Sequence, residues 1–166
     1  MRLFTSVHSM LICINLHIRQ LMGLVMSLYR LAYMSEIKGK INKDDLRQIL
    51  SSSVTNNTRD GVTGALLFNQ STFLQILEGR RPTINKTYRR ITQDGRHRPA
   101  ELIGLEPAKE RLFSKWSMAL INDEQITREI LIKYCGADKP VSDRLDLDIT
   151  TQMMCLMLGS GDREKD

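Results

Sequence analysis

A glutamine stands where a core residue belongs. Phe73-Leu74-Gln75-Ile76-Leu77 is apolar on both sides of Gln75. In an extended strand Gln75 shares a face with Phe73 and Leu77, while Leu74, Ile76 and Glu78 take the other. A buried amide without partners costs about 1–3 kcal/mol, so Gln75 needs something polar to hold. A carboxamide donates at one end and accepts at the other, and turning it over exchanges the roles. Other residues offer complementary chemistry. Arg90, Asp94, Arg96 and His97 could together grip a ligand with carbonyl and phosphate oxygens; alternatively they form a solvated helix end. Asn57 is either a helix cap or an amide presented to a ligand beside the helix. Tyr33 by itself reads as a core aromatic with its hydroxyl satisfied.

The elements that carry these residues follow from periodicity. Ser27 to Ser35 reads as a strand, with Tyr29, Leu31 and Tyr33 on one face. Asn42 or Lys43 opens a helix whose stripe is Leu46, Ile49, Leu50 and Val54, with Asp44 and Asp45 in its first turn. That helix is expected to fail near Thr55-Asn56-Asn57-Thr58, and Arg59-Asp60-Gly61 to turn into a hairpin. Val62 to Phe68 and Thr72 to Leu77 are the two strands of the hairpin, with Asn69-Gln70-Ser71 as its turn and Gly79 as its end. Because both faces of the second strand are apolar, it should be central. Pro82 starts a second helix with the stripe Ile84, Tyr88 and Ile91; Arg90 and Asp94, four apart, are placed to pair on its surface. Ala100 to Ala108 and Trp116 to Asn122 read as strands, the latter with Trp116, Met118 and Leu120 alternating. Asp123 to Tyr134 and Asp148 to Leu158 read as helices. The order β-α-β-β-α-β-β predicts an α+β, ferredoxin-like five-stranded mixed sheet with two helices on one face and two C-terminal helices on the other.

Composition narrows the classes. The chain has 166 residues, is 42% hydrophobic and 26% charged, and carries a net charge of +5, which fits a folded domain. Without residues 1–25 the balance falls to 22 basic against 19 acidic side chains, which argues against nucleic acid as a partner. Cys13, Cys135 and Cys155, and His8, His17 and His97, lack metal-ligand spacing, so no metal is expected. Scattered cysteines read as reduced thiols in a cytoplasmic protein. Residues 1–25 are apolar but broken by Asn15, His17, Arg19 and Gln20, so no membrane span is expected. They read as an extension upstream of a natural start at Met26. The remaining organisation is a domain over 26–122, a C-terminal helical region over 123–158 and a polar tail over 159–166.

These residues resemble the BLUF family, the blue-light sensors that use FAD. The resemblance runs from about Ser27 to Asn122 and rests on Leu31-Ala32-Tyr33, Asn56-Asn57, Val62-Thr63-Gly64, Phe73 to Gly79, Gln93-Asp94-Gly95-Arg96-His97 and Trp116-Ser117-Met118 in order. It looks most like the short forms without a fused enzyme. The resemblance implies that Tyr33 is the photochemical tyrosine, Gln75 the switching glutamine and Asn57 the asparagine holding the flavin ring. It implies that Arg90, Asp94, Arg96 and His97 surround the flavin and its ribityl-phosphate arm. It also implies that Trp116 and Met118 lie on the strand that relays the signal. A non-enzymatic photoreceptor is expected, acting as a homo-oligomer (a dimer or larger ring) on a response-regulator-like protein, often in phototaxis. Two other readings compete: a ferredoxin-like phosphatase, for which no glycine-rich phosphate loop is present, and an RNA-binding domain, for which no exposed aromatic motif is present.

Overall fold

The structure, a computed structural model, describes residues 27–69, 71–122 and 124–161. The extension over 1–25 and most of the tail lie outside them. Strand β1 (Leu28–Glu36) leads to helix α1 (Lys43–Asp60). The hairpin is β2 (Thr63–Phe68) and β3 (Thr72–Arg80), followed by α2 (Arg81–Thr92). Next come β4 (Glu101–Pro107), β5 (Ala119–Ile121), α3 (Glu124–Cys135), a short 3-10 turn (Ser142–Arg144) and α4 (Leu147–Gly161).

The sheet order is β4-β1-β3-β2-β5, antiparallel except for the parallel β2–β5 pair. This is the expected ferredoxin-like mixed sheet, with β3 at its centre. Alternation along β3 sorts two cores. Phe73 and Leu77 join Leu31, Tyr33 and Leu66 beneath α1 and α2. Leu74 and Ile76 join Ala32, Ala65 and Leu67 beneath α3 and α4, with Leu131, Met153, Met154 and Met157 above them.

Helix α1 does not fail at Thr55–Thr58; it continues to Asp60 and stops at Gly61, whose φ of 65° supplies the left-handed cap. Tertiary bonds outweigh the poor helix propensity of that turn. Asn57 Nδ2 donates to the Ser117 carbonyl at 2.8 Å, and the Thr58 and Ser117 hydroxyls lie 2.8 Å apart. At its other end Asn42 Oδ1 accepts from the amides of Asp44 and Asp45, and Asp45 Oδ2 accepts from the Asn42 amide, a capping box. Val54, expected in the apolar stripe, is 41% exposed. β3 runs past Gly79 to Arg80 because Tyr29 and Leu28 pair with both residues. The fifth strand is three residues, not seven. The backbone of 116–118 is committed elsewhere: Trp116 N to Phe113 O, Gly64 N to Trp116 O and Asn57 to Ser117 O. Trp116 and Met118 therefore precede the strand instead of lying in it. At the far end, α4 continues to Gly161, two residues past the expected start of the tail.

Gly64 is required by the hairpin. A Cβ there would lie 2.0 Å from the Ile76 carbonyl oxygen, and backbone in the middle of a sheet cannot yield. Gly64→Ala should destabilise the protein by roughly 3 kcal/mol or more and lower Tm by roughly 6 °C or more. Thermal unfolding by circular dichroism checks this; a Tm within a degree of wild type would mean that β2 and β3 do not approach this closely.

Candidate functional site

Helix α1 has eighteen residues, and its single buried one is an asparagine. A helix with apolar residues normally seats them on the sheet. Here Ile49 and Leu50 are only partly covered. A cavity of about 290 Å³ fills the space between α1, α2 and the sheet, near the lower end of the size range of small-molecule sites. Ile49, Leu66, Phe73, Leu77 and Ile91 make it apolar, and Asn57, Gln75, Arg90, Asp94, Arg96 and His97 add its polar groups.

Gln75 sits on the cavity wall, 4% exposed. Strand pairing puts Tyr33 directly beside it, since β1 and β3 are in register at these two residues. The Tyr33 hydroxyl donates to Gln75 Oε1 at 2.5 Å. At its other end Gln75 Nε2 donates to the Met118 sulfur at 3.3 Å. A thioether is a weak acceptor, so one end of the buried amide is well held and the other poorly. Tyr33 also lies 5.5 Å, centroid to centroid, from the tilted ring of Tyr88.

Burial, then Tyr88 and Asp94 nearby, push the Tyr33 phenol far above its usual range. It therefore stays protonated wherever the protein is folded. In the unfolded chain the phenol ionises near its ordinary value of 10.0. Its contribution to stability is thus complete below that pH and is lost as pH rises above it, by at most ~1.4 kcal/mol per unit. Urea unfolding of wild type and Tyr33→Phe above pH 10 should show the wild type losing stability more steeply; parallel curves would show that Tyr33 is not shielded as described.

The cluster at the end of α2 is rearranged from the sequence expectation. Asp94 pairs with Arg96, not Arg90. Arg96 Nε reaches both Asp94 oxygens at 2.9 and 3.0 Å, and Nη2 is bonded to Oδ2 as well. The Arg96 hydrogen bond holds the Asp94 carboxyl below the usual carboxylate range. Arg90 instead lies 3.9 Å from Asp60 at the end of α1. Chain direction explains the difference: α2 ends at Thr92, so Asp94 is outside the helical spacing that would carry it over Arg90. His97 lines the cavity edge-on to Phe73, with its ring nitrogens 2.8 Å from the Arg98 carbonyl and 3.0 Å from that of Ile91.

Asn57, expected at a helix end, has its side chain buried and bonded across to Ser117. Ser52, Ser53 and Asn56 also line the cavity, and sequence reasoning passed over them as site residues. Their signal was spacing: 49, 52, 53, 56 and 57 share one helical face, on which Ile49 is followed by small polar residues. Among the described residues there is no cluster of three or more potential metal ligands, and no helix is long and apolar enough to cross a membrane.

Comparison with known proteins decides the family. The family model for BLUF, sensors of blue light using FAD, matches residues 28–119. The chain belongs to the BLUF family. The chain is 30% identical over 101 residues to the photoactivated adenylate cyclase subunit beta of Euglena gracilis, covering 60% of this chain and 12% of that protein. It is 35% identical over 92 residues to the blue light- and temperature-regulated antirepressor BluF of Escherichia coli (strain K12), covering 55% of this chain and 23% of that one. The curated relatives are thus much longer than the region they share with this chain. Among solved structures, the dark state of the BLUF protein BlrB is similar with a TM-score of 0.64 and 29% identity over 82% of this chain and 98% of that one. The photo-activated state of BlsA shares the fold, with a TM-score of 0.70 at 24% identity. FAD is the cofactor that defines BLUF sensors, and the matched segment is a sensor module.

Proposed function

We propose that the cavity takes the flavin ring of FAD and that the Tyr33–Gln75 pair is a light-driven hydrogen-bond switch. The observation that carries this is the asymmetric amide. Gln75 is buried, is held tightly by a phenol at one end, and at the other faces only a thioether beside an apolar, ring-sized space. The incompletely seated α1 supports it too: a flat ligand would cover Ile49 and the cavity side of the helix. In this reading Asn57, Gln75, Arg90, Asp94, Arg96 and His97 bind the cofactor, with the cations toward its ribityl-phosphate arm.

Bound FAD supplies absorption of blue light and, once excited, an oxidant for a nearby phenol. Tyr33 is the electron donor, and its hydroxyl proton moves along the 2.5 Å bond to Gln75 Oε1. The protonated amide is free to turn over or to shift to its other tautomer, because the Met118 sulfur holds Nε2 weakly. Tyr33 would then regain its electron, and the nitrogen end of the turned amide, now opposite the phenol, would return a proton to it, so that Gln75 is left in its new orientation as the imidic-acid tautomer. Gln75 would present a changed donor to the cavity, and a flavin held there would absorb at slightly longer wavelength. No net chemistry remains. Loss of the Met118 contact frees the segment ahead of β5, where Trp116 packs against the core beneath α3 and α4. A tenfold population shift there needs only about 1.4 kcal/mol. The output passes to a separate protein, of the response-regulator kind, from a cytoplasmic homo-oligomer.

The test is a visible spectrum of the FAD-reconstituted protein in darkness, under blue light and after return to darkness. A small red shift that reverses is the expected result. A flavin spectrum that bleaches, or does not move, would overturn the switch, and failure to take up FAD would overturn the assignment of the cavity.

A further inference from the structure

The chain between β4 and β5, residues 108–118, crosses the whole end of the sheet, because β4 and β5 are its two edges. Glu78 stands at the middle of that crossing, on central strand β3. Its side chain is fully buried, on the face opposite Gln75, and both oxygens are filled. Oε1 accepts from Arg30 Nε at 2.9 Å and from the Leu112 amide at 3.0 Å. Oε2 accepts from the Phe113 amide and the Thr63 hydroxyl, each at 3.1 Å. Arg30 also donates to the Glu110 carbonyl at 3.2 Å. Arg111 folds back to donate to the Glu78 carbonyl, Thr63 Oγ1 and the Gly61 carbonyl at 2.8–2.9 Å. Residues 110–113 are thereby tied to β1, β2, β3 and the end of α1. A few residues on, the same segment reaches the cavity side, where Asn57 holds the Ser117 carbonyl and Gln75 holds the Met118 sulfur. Trp116 lies between the two attachments.

A buried ion pair is often no more stabilising than well-packed apolar residues of similar volume, so this one calls for a role beyond stability. We propose that Glu78 is a positioning residue of the light response. It fixes residues 110–113 to β3, so that a change at the Gln75–Met118 contact displaces residues 114–118, and Trp116 with them, instead of being absorbed along the loop. The light-driven half of this inference rests on the switch proposed above. The chemistry calls for a carboxylate. Each oxygen accepts from a backbone amide, and a carboxamide, whichever way it turns, would face one of those amides with its own N–H groups.

The experiment compares the FAD-loaded wild type with Glu78→Gln and Arg111→Gln. In darkness, the Leu112 and Phe113 amides should exchange hydrogen roughly tenfold faster in both variants. Under blue light the visible red shift should persist. The light-induced change in quenching of the fluorescence of Trp116, the single tryptophan, should shrink roughly threefold or more. Unchanged exchange, or a full-sized Trp116 response in both variants, would overturn the inference. Loss of the visible shift in the variants alone would also overturn it, since Glu78 would then act on the flavin site. A wild type without a red shift would sink the proposed function, and dark exchange would still decide the anchor. Should Glu78→Gln fail to fold, Arg111→Gln, which leaves the buried charge in place, decides by the same outcomes.

Discussion

Tyr33→Phe should fold, bind FAD and lose its light response. The ring stays, so the contact with Tyr88 and the packing against Leu31 and Phe73 survive. What goes is the hydroxyl, and with it both the proton and the 2.5 Å bond to Gln75. Leaving Gln75 Oε1 without its buried donor costs about 1–3 kcal/mol of stability, which lowers Tm without unfolding the protein. The yield of the red-shifted state should fall roughly a hundredfold or more, as removing ~3 kcal/mol of assistance from a step would do. Tyr88 is no ready substitute: its hydroxyl is turned to the Ala100 carbonyl at 3.3 Å, not to Gln75. Flash illumination of the variant, read at the long-wavelength edge of the flavin band, measures this. A red-shifted state formed in wild-type yield would remove Tyr33 from the photochemistry.

Gln75→Leu is the complementary case. Leucine has similar bulk and suits a strand whose neighbours are Leu74 and Ile76, so the sheet should hold. It leaves the Tyr33 hydroxyl without an acceptor in a site that is 3% exposed, again at about 1–3 kcal/mol. FAD stoichiometry should stay near that of wild type, because the cavity keeps its apolar walls and the other polar groups. The reversible red shift should vanish, since no amide remains to turn over. Absorbance after gel filtration measures retained flavin, and illumination of the same sample measures the shift. A normal, reversible shift in this variant would show that the optical change arises elsewhere.

The two cores and the central position of β3 could be read from alternation alone, because strand periodicity is local and Phe73 to Glu78 is a strong example of it. So could the exceptional place of Gln75, a polar residue at a position where both neighbours on its face are apolar. Tyr33 could not be joined to it by pattern. Their contact is made by register between strands forty-two residues apart, and only the family resemblance put them together beforehand. The misreadings share one cause: local propensity was overruled by bonds to distant residues. The α1 turn at Thr55–Thr58 looked like an end, yet the side chains of Asn57 and Thr58 are bonded to Ser117. Trp116 to Met118 looked like strand, yet its backbone bonds go to Phe113, Gly64 and Asn57. Arg90 and Asp94 had helical spacing, but the helix ended first, and Arg96 took the carboxylate. The bulge where β1 meets β4, between Ala32 and Tyr33, had no sequence signal beyond Gly104. That glycine lets Leu147, at the start of α4, approach the strand, where a Cβ would lie 3.1 Å from the leucine's own.

The central claim is that the Gln75 amide itself rearranges. Light-minus-dark infrared difference spectra test it most directly, on FAD-loaded protein with carbon-13 in the glutamine side-chain carbonyls and with Gln75→Leu as control. An isotope-sensitive amide band should move under blue light, return in darkness at the rate of the visible red shift, and be missing from the control. A visible shift that forms and decays with no isotope-sensitive band would mean that Gln75 stays still and the switch lies in another group.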